Sequence, residues 1–412
     1  MSIIDRITTL RLAEFPRLCH VLVHTDDGYV GLGETFHGAR AVEAHIHESG
    51  APYLLGRKPH AINRHARALQ PYVGYAGTGA EMRGNSAVDI ALHDLVARIA
   101  GLPVHQLLGG LAREDIRAYN TCAGYTYVRG TSGQRVENWG LPTAEPAGPY
   151  EDLDAFLHRP GELAASLLAD GVTAMKIWPF DPYAEASDGT HISLADLDRG
   201  LEPFRGIRDA AGAQMDIMVE LHGLWSLPAA KRIAGALEEF QPFWFEDPVR
   251  PDDLDALADF ARSTRVPVLA SETLGGQPAY AELLRRRAAD IVMADVGWCG
   301  GIGAASRIAA LAEAHSLPVT LHDCTGPVGL AASTHLSCAV PNALIQETVR
   351  AHYTSWYREL VTGLPPMKAG RIAPPPGAGL GVELRPEVFD RPDACRHTSE
   401  LVAGRVRETS TP

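Results

Sequence analysis

Asp216-Ile-Met-Val-Glu220, Phe243-Trp-Phe-Glu246 and Pro267-Val-Leu-Ala-Ser-Glu272 are three short apolar runs, each ending on a carboxylate. The three glutamates recur at intervals of 26 residues. A strand, a helix and two connecting loops take up about that much chain, so the spacing predicts consecutive units of a parallel barrel. Carboxylates at the C-terminal ends of neighbouring strands converge on the face where barrel active sites lie. Three anions that close require a cation, and a hard, oxygen-seeking ion such as Mg²⁺ is the natural partner.

The same period continues in both directions. Downstream, Ile291–Asp295, Pro318–His322 and Ala343–Glu347 follow at steps of 23, 27 and 25 residues between their chemically capable ends. Upstream, Val172–Trp178 and Ile116–Thr121 complete a set of eight strands. Helical periodicity fills intervening segments such as Ala229–Phe240 and Gly303–His315. The predicted class is α/β, a modified TIM-like (β/α)8 barrel. Every strand after the first ends near a reactive side chain: Lys176, Glu220, Glu246, Glu272, Asp295, His322 and Glu347. Singly, a strand-end Glu reads as a salt-bridge partner, a His as structural and a Lys as surface charge. Seven of them at one position of the repeat read as a site, because barrel stability demands no charge there.

The 412 residues exceed one barrel, which predicts a second, smaller domain. Ile3–Leu12, Cys19–Thr25 and Tyr29–Glu34 read as an antiparallel meander, with Pro16 in a short first loop, Ala13–Leu18, and a turn at Asp26-Asp27-Gly28. A helix is predicted from Ser86, with Asp89 completing a capping box. Val88, Leu92, Leu95 and Ile99 form its apolar stripe, and Gly101 and Pro103 stop it. The organisation expected is an α+β capping domain over 1–112, the barrel over 113–355, and a segment over 356–412 that packs back on the cap. Residues 123–160, rich in Gly, Pro and polar groups, read as a long loop of the functional kind.

The formal net charge of −13 argues against nucleic acid and anionic membranes as partners. The six cysteines are dispersed, with no metal-finger spacing, and read as reduced thiols of a cytoplasmic protein. The start shows no basic segment followed by an apolar stretch, so no signal peptide is expected, and no apolar run is long enough to span a bilayer.

Several motifs resemble the enolase superfamily in its mandelate racemase and muconate lactonizing branch. They are Ser86-Ala-Val-Asp-Ile-Ala-Leu-His-Asp94, Gly101-Leu-Pro-Val-His-Gln-Leu-Leu-Gly-Gly110, Trp244-Phe-Glu-Asp-Pro248, Ser271-Glu-Thr273, and Asp295 with Gly297-Trp-Cys-Gly-Gly-Ile302. Two segments, Glu220-Leu-His-Gly223 and His322-Asp-Cys-Thr-Gly-Pro-Val-Gly-Leu-Ala-Ala332, most resemble galactonate dehydratases. The resemblance implies one Mg²⁺ held by Glu220, Glu246 and Glu272. It implies His322 as general base paired with Asp295, and His222 as general acid for a departing hydroxyl. Glu347 is implied near the substrate carboxylate and the enediolate, and Lys176 as support for that carboxylate. The substrate class implied is a small sugar acid, an aldonate such as galactonate or gluconate, or an aldarate.

The chemistry accounts for such a set. Removing a proton alpha to a carboxylate creates a dianionic enediolate, which needs a cation to neutralise it. Sites of the enolase superfamily meet that need with a Lys or His base and Mg²⁺. His222 lies two residues beyond Glu220, so it points the same way if the strand continues that far. Many members of the branch carry Lys-x-Lys where this chain reads Lys176-Ile-Trp178. Indole is no base, so one substrate face lacks proton-transfer machinery, which disfavours a two-base racemase. Glu220 stands where the dehydratases commonly have Asp. His37, Tyr75, Arg83 and Trp178 are the candidate substrate contacts, and Trp225 and Trp298 are pocket walls or core. A homo-oligomer is expected; the short first loop points to an open site or to cover from a neighbouring subunit. An epimerase, racemase or cycloisomerase acting through the same enediolate is the alternative enzyme, and a noncatalytic sugar-acid binder the alternative class.

Overall fold

The structure is a computed structural model that describes residues 2–70, 79–125, 127, 129 and 150–411. Its centre is a closed barrel of eight parallel strands: β4 (Ile116–Thr121), β5 (Ala174–Ile177), β6 (Asp216–Glu220), β7 (Trp244–Glu246), β8 (Val268–Ala270), β9 (Ile291–Ala294), β10 (Val319–Leu321) and β11 (Ala343–Thr348). Neighbours pair in sequence order, and β11 closes on β4 through Gln346↔Ala118, Glu347↔Tyr119 and Thr348↔Asn120. Tyr119, Ala174, Met218, Trp244, Leu269, Ile291, Met293 and Ile345 form one buried apolar cluster, the barrel floor. Side chains alternate along a strand with period two. The next inward position on β5, β6, β7 and β11 is therefore Lys176, Glu220, Glu246 and Glu347, and just past β9 it is Asp295. An apolar floor and a charged mouth follow from one alternation.

One strand breaks that rule. Glu220 pairs with Glu246 across the β6–β7 ladder, but Glu246 pairs with Leu269, not with Glu272. The equal sequence intervals thus do not mark equal heights in the barrel. β8 ends at Ala270, and Glu272 reaches the mouth from the loop beyond it.

A five-stranded antiparallel sheet stands beside the barrel. β1 (Ile4–Leu12), β2 (Phe15–Thr25) and β3 (Val30–Phe36) form the expected meander. Two strands of the C-terminal segment complete the sheet: Ala394–Val402 pairs with β1, and Arg405–Thr411 pairs in turn with Ala394–Val402. Pro16 lies inside β2 and not in a loop, which leaves only Ala13 and Glu14 as the connection. It is tolerated because the β1–β2 register shifts there and pairing with β3 begins only at Leu18, so no ladder N–H is required of it.

The long cap helix spans Ala80–Ala100 and starts earlier than its sequence suggests. Ser86 is not its cap. Its hydroxyl donates back to the Met82 carbonyl at 2.7 Å and accepts from Gly300 N–H at 2.9 Å. β3 packs against this helix at backbone contact: a Cβ on Gly33 would meet Ala87 O at 2.0 Å, and one on Gly31 would meet Ala91 O at 2.1 Å.

Carboxylates of the cap receive backbone N–H groups at the starts of two barrel helices. Asp89 Oδ1 accepts from Gly303 N at 3.0 Å, in the first turn of the helix Ile302–Ala314. Glu34 Oε1 accepts from Val328 N at 3.2 Å and Gly329 N at 2.9 Å, in the first turn of Pro327–Ala339. First-turn N–H groups have no partner within their helix, and an anion there is further stabilised by the helix dipole. These two helices follow the strands that lead to Asp295 and His322. Among the described residues, no helix is long and apolar enough to cross a membrane, and the six cysteines are free thiols.

Gly33→Ala is expected to lower stability by about 1–3 kcal/mol, because backbone cannot yield to the new methyl. Gly235 lies exposed in the helix Leu227–Leu237, with open space where its Cβ would be. Gly235→Ala should stabilise by roughly 0.5–1 kcal/mol. Urea midpoints of the two variants check both signs; equal midpoints would contradict the close-packing account.

Candidate active site

Glu220, Glu246 and Glu272 each offer one carboxylate oxygen, and these atoms lie within 4.8 Å of one another. Lys176 Nζ stands beside them, 2.6 Å from Glu246 Oε1, 3.3 Å from Glu220 Oε2 and 3.0 Å from Glu347 Oε1. Glu220 Oε1 accepts from the backbone N–H of Leu221 (3.1 Å) and His222 (2.8 Å), while Glu246 Oε2 accepts from Trp244 Nε1 (2.9 Å). Glu272 Oε2 is buried and has no hydrogen-bond partner.

The electrostatics show what the trio lacks. Burial raises the Glu246 carboxyl, and neighbouring Glu220 raises it further, well above the usual range. Burial also raises Glu272, and Glu220 adds to the effect against the pull of His322. Glu220 moves the other way, since His222 and Lys176 outweigh its burial. One lysine does not sustain three adjacent buried anions. An all-oxygen donor set with an orphaned carboxylate oxygen fits a hard divalent cation.

Two histidines flank the trio. His322 Nδ1 lies 2.7 Å from Asp295 Oδ2, and Asp295 Oδ1 accepts from Gly297 N at 2.6 Å, which fixes the carboxylate. His222 Nδ1 lies 2.8 Å from Asp181 Oδ2. His222 does not extend β6. The strand ends at Glu220, and His222 adopts a left-handed backbone, φ 50°. The turn, not strand alternation, delivers its ring to the pocket.

In barrel order β6 and β10 are four strands apart out of eight, so His222 and His322 stand on opposite sides of the mouth. Both line the same pocket, together with Lys176, Glu220, Glu272 and Glu347. For His322, burial lowers the pKa, but Glu347, Glu272 and Asp295 outweigh it and lift the group to about 10. For His222, burial is outweighed by Asp181 and Glu220, and the shift is upward.

The remaining candidates divide. Trp178 lines the pocket, edge-on to the His222 ring at 5.8 Å and 79°. His37 lines it too, in a left-handed conformation (φ 70°); burial and then Arg83 hold its imidazole neutral. Arg83 is not among the lining residues. Its guanidinium stacks 4.4 Å over Trp298, which does line the pocket, and it donates to Phe36 O at 3.2 Å. Trp225 is buried away from the lining, and Tyr75 lies outside the described residues.

Sequence reasoning misses two residues. Thr121, at the end of the one barrel strand without an evident functional group, donates to Glu347 Oε1, and Glu347 Oε2 accepts from Asp323 N at 2.8 Å. Asp181 is hidden because an aspartate opening a helix reads as a cap. Asp181 and Asp295 each lie one strand ahead of a histidine, but Asp295 is the first residue past β9 and Asp181 the fourth past β5, so equal spacing does not reveal it.

Residues 8–109 match the family model described as the mandelate racemase / muconate lactonizing enzyme N-terminal domain, and residues 161–388 match the one described as enolase C-terminal domain-like. The chain is similar to a D-xylonate dehydratase of Haloferax volcanii, at 28% identity over 387 residues, covering 93% of this chain and 87% of the relative. It is similar to a D-galactonate dehydratase of Ralstonia nicotianae, at 29% identity over 392 residues and 92% of each chain. Among solved structures, an enolase of the mandelate racemase subgroup from Agrobacterium tumefaciens superposes with a TM-score of 0.86 at 48% identity, covering 97% of this chain and 99% of that one.

The raised Glu246 and Glu272 carboxyls and the elevated His322 together predict proton release on cation binding. At pH 8, below a pKa of about 10, His322 carries its proton. A cation at Glu272 cancels part of the field that holds the proton, the pKa falls, and the proton leaves. Calorimetric titration of metal-free protein with Mg²⁺ at pH 8, in buffers of different ionisation enthalpy, should show net release. Net uptake, or no buffer dependence, would refute it.

Proposed function

The chain belongs to the mandelate racemase and muconate lactonizing branch of the enolase superfamily, and from that premise we propose that it is a Mg²⁺-dependent dehydratase of an acid sugar. The product in this reading is a 2-keto-3-deoxy acid sugar. The observation that carries it is the pair of histidines on opposite sides of one mouth, each hydrogen-bonded to its own aspartate. Elimination of water needs a base at C2 and an acid at the C3 hydroxyl, roles that this reading gives to His322 and His222. The likeness to relatives named as xylonate and galactonate dehydratases supports the same class.

In this reading Glu220, Glu246 and Glu272 hold the ion. When bound there, Mg²⁺ supplies Lewis-acid stabilisation of the negative charge that develops on the substrate carboxylate. His322 takes the C2 proton through Nε2, with Asp295 fixing the tautomer and supporting the imidazolium. Lys176 adds a fixed positive charge beside the developing enediolate. Glu347, held by Thr121 and Asp323 N–H, shapes the wall near the substrate carboxylate. His222 gives a proton to the departing C3 hydroxyl from the opposite face. Trp178, where many relatives of the branch carry a second lysine, supports dehydration over epimerisation, with the opposite-face His222 read as the acid.

The test is mass spectrometry of pooled aldonates and aldarates after incubation with enzyme and Mg²⁺ in D₂O. Loss of one water from one or two members is expected. Deuterium gain without water loss would instead identify an epimerase. His322→Asn should abolish both exchange and water loss, by about 10²–10⁴-fold for loss of a general base. His222→Asn should depress water loss while exchange at C2 continues.

A further inference from the structure

The loop after β5 runs Trp178-Pro179-Phe180-Asp181 and directs two side chains at His222. Asp181, 1% exposed, brings Oδ2 to within 2.8 Å of Nδ1. Trp178 packs edge-on against the ring. The histidine backbone is pinned as well, since His222 N donates to Glu220 Oε1 and Gly223 N donates to Asp247 O at 2.7 Å. The ring is thus fixed in position, plane and rotation by groups from β5, β6 and β7.

A carboxylate on Nδ1 assigns the hydrogen to that nitrogen, so that Nε2 is the nitrogen turned away from Asp181. The chain contains this arrangement twice. Asp295, just past β9, orients His322 past β10; Asp181, past β5, stands in the same relation to His222 past β6.

We propose that Asp181 is the positioning residue for the acid of the elimination step, so that the site is built from two histidine–aspartate dyads, one for proton removal and one for the departing hydroxyl. The inference rests on the dehydratase reading and deepens it. The C2–H electron pair is first held in the enediolate; as that pair goes on to form the C2=C3 bond, the C3–O bond breaks. The Nε2 proton passes to the departing oxygen, water leaves, and His222 ends neutral. Asp181 touches none of the reacting atoms and acts only through the ring. Its loss should therefore be felt where the leaving group needs a proton, and nowhere else.

Leaving groups separate this role from a structural one, because fluoride departs as a stable anion without prior protonation. The substrate is whichever of galactonate, gluconate, xylonate and galactarate the wild-type enzyme dehydrates, together with its 3-deoxy-3-fluoro analogue. Three rates are measured with Mg²⁺ present: water loss, fluoride release, and C2–H exchange in D₂O. Asp181→Asn keeps the shape and removes the charge. Its water loss should fall about 10²-fold, at the lower end of what general acid catalysis contributes, while fluoride release and exchange stay near wild type. Asp181→Glu, which keeps the carboxylate, should recover part of the lost rate, and in a His222→Asn background Asp181→Asn should cost nothing further. Unchanged water loss in Asp181→Asn, or three rates that fall together, overturns the inference alone. A wild-type enzyme that dehydrates none of the four acids overturns the dehydratase reading, and this inference with it.

Discussion

Parallel pairing of β6 with β7 puts Glu220 directly beside Glu246 at the mouth of the barrel, and much else in the structure answers that repulsion. Two like charges side by side in a buried ladder are destabilising unless opposite charge is supplied. Lys176 arrives from the neighbouring strand β5, where it pairs with Met218 one inward position below Glu220, and its side chain reaches both carboxylates. Backbone N–H groups of Leu221 and His222 and the indole of Trp244 take further oxygens. Glu272, delivered from a loop, adds a carboxylate that these donors do not satisfy. The excess negative charge suits the mouth to a cation, and it also lifts His322 through Glu347 and Glu272. Ion binding and proton affinity are thus two readings of one electrostatic imbalance.

The cap addresses a different need. Helices that follow barrel strands begin at the functional face with unpaired N–H groups. Glu34 and Asp89 satisfy two such helix starts from outside the barrel. Gly326 has no room for a side chain, because a Cβ there would lie 2.2 Å from Glu34 Oε1. The loop from His322 to the helix Pro327–Ala339 is therefore held at its far end by the capping domain, and the placement of His322 draws on contacts made well outside the pocket.

Much of this is legible in the sequence wherever a regular period carries the information. The length of a strand–helix unit places the barrel and brings Lys176, Glu220, Glu246 and Glu347 to the ends of its strands. Sequence reading fails where the chain leaves a regular element. Glu272 and His222 both lie past strand ends, so neither strand parity nor equal spacing describes how they reach the mouth. Ser86 resembles a helix cap because local patterns do not reveal that Gly300, more than two hundred residues away, donates to its hydroxyl. Asp181 and Thr121 matter through partners distant in sequence, and their local surroundings carry no sign of it.

The sheet that flanks the barrel joins both ends of the chain. Thr9 of β1 pairs with His397, a separation of 388 residues. During synthesis at about 5–20 residues per second, one edge of β1 therefore waits on the order of 20–80 s for its partner, while the entire barrel emerges in between. An open strand edge is a template for unwanted pairing over that interval. The flanking sheet is thus completed only after every barrel strand has emerged, although Glu34, which holds the start of the helix after His322, lies on the early strand β3.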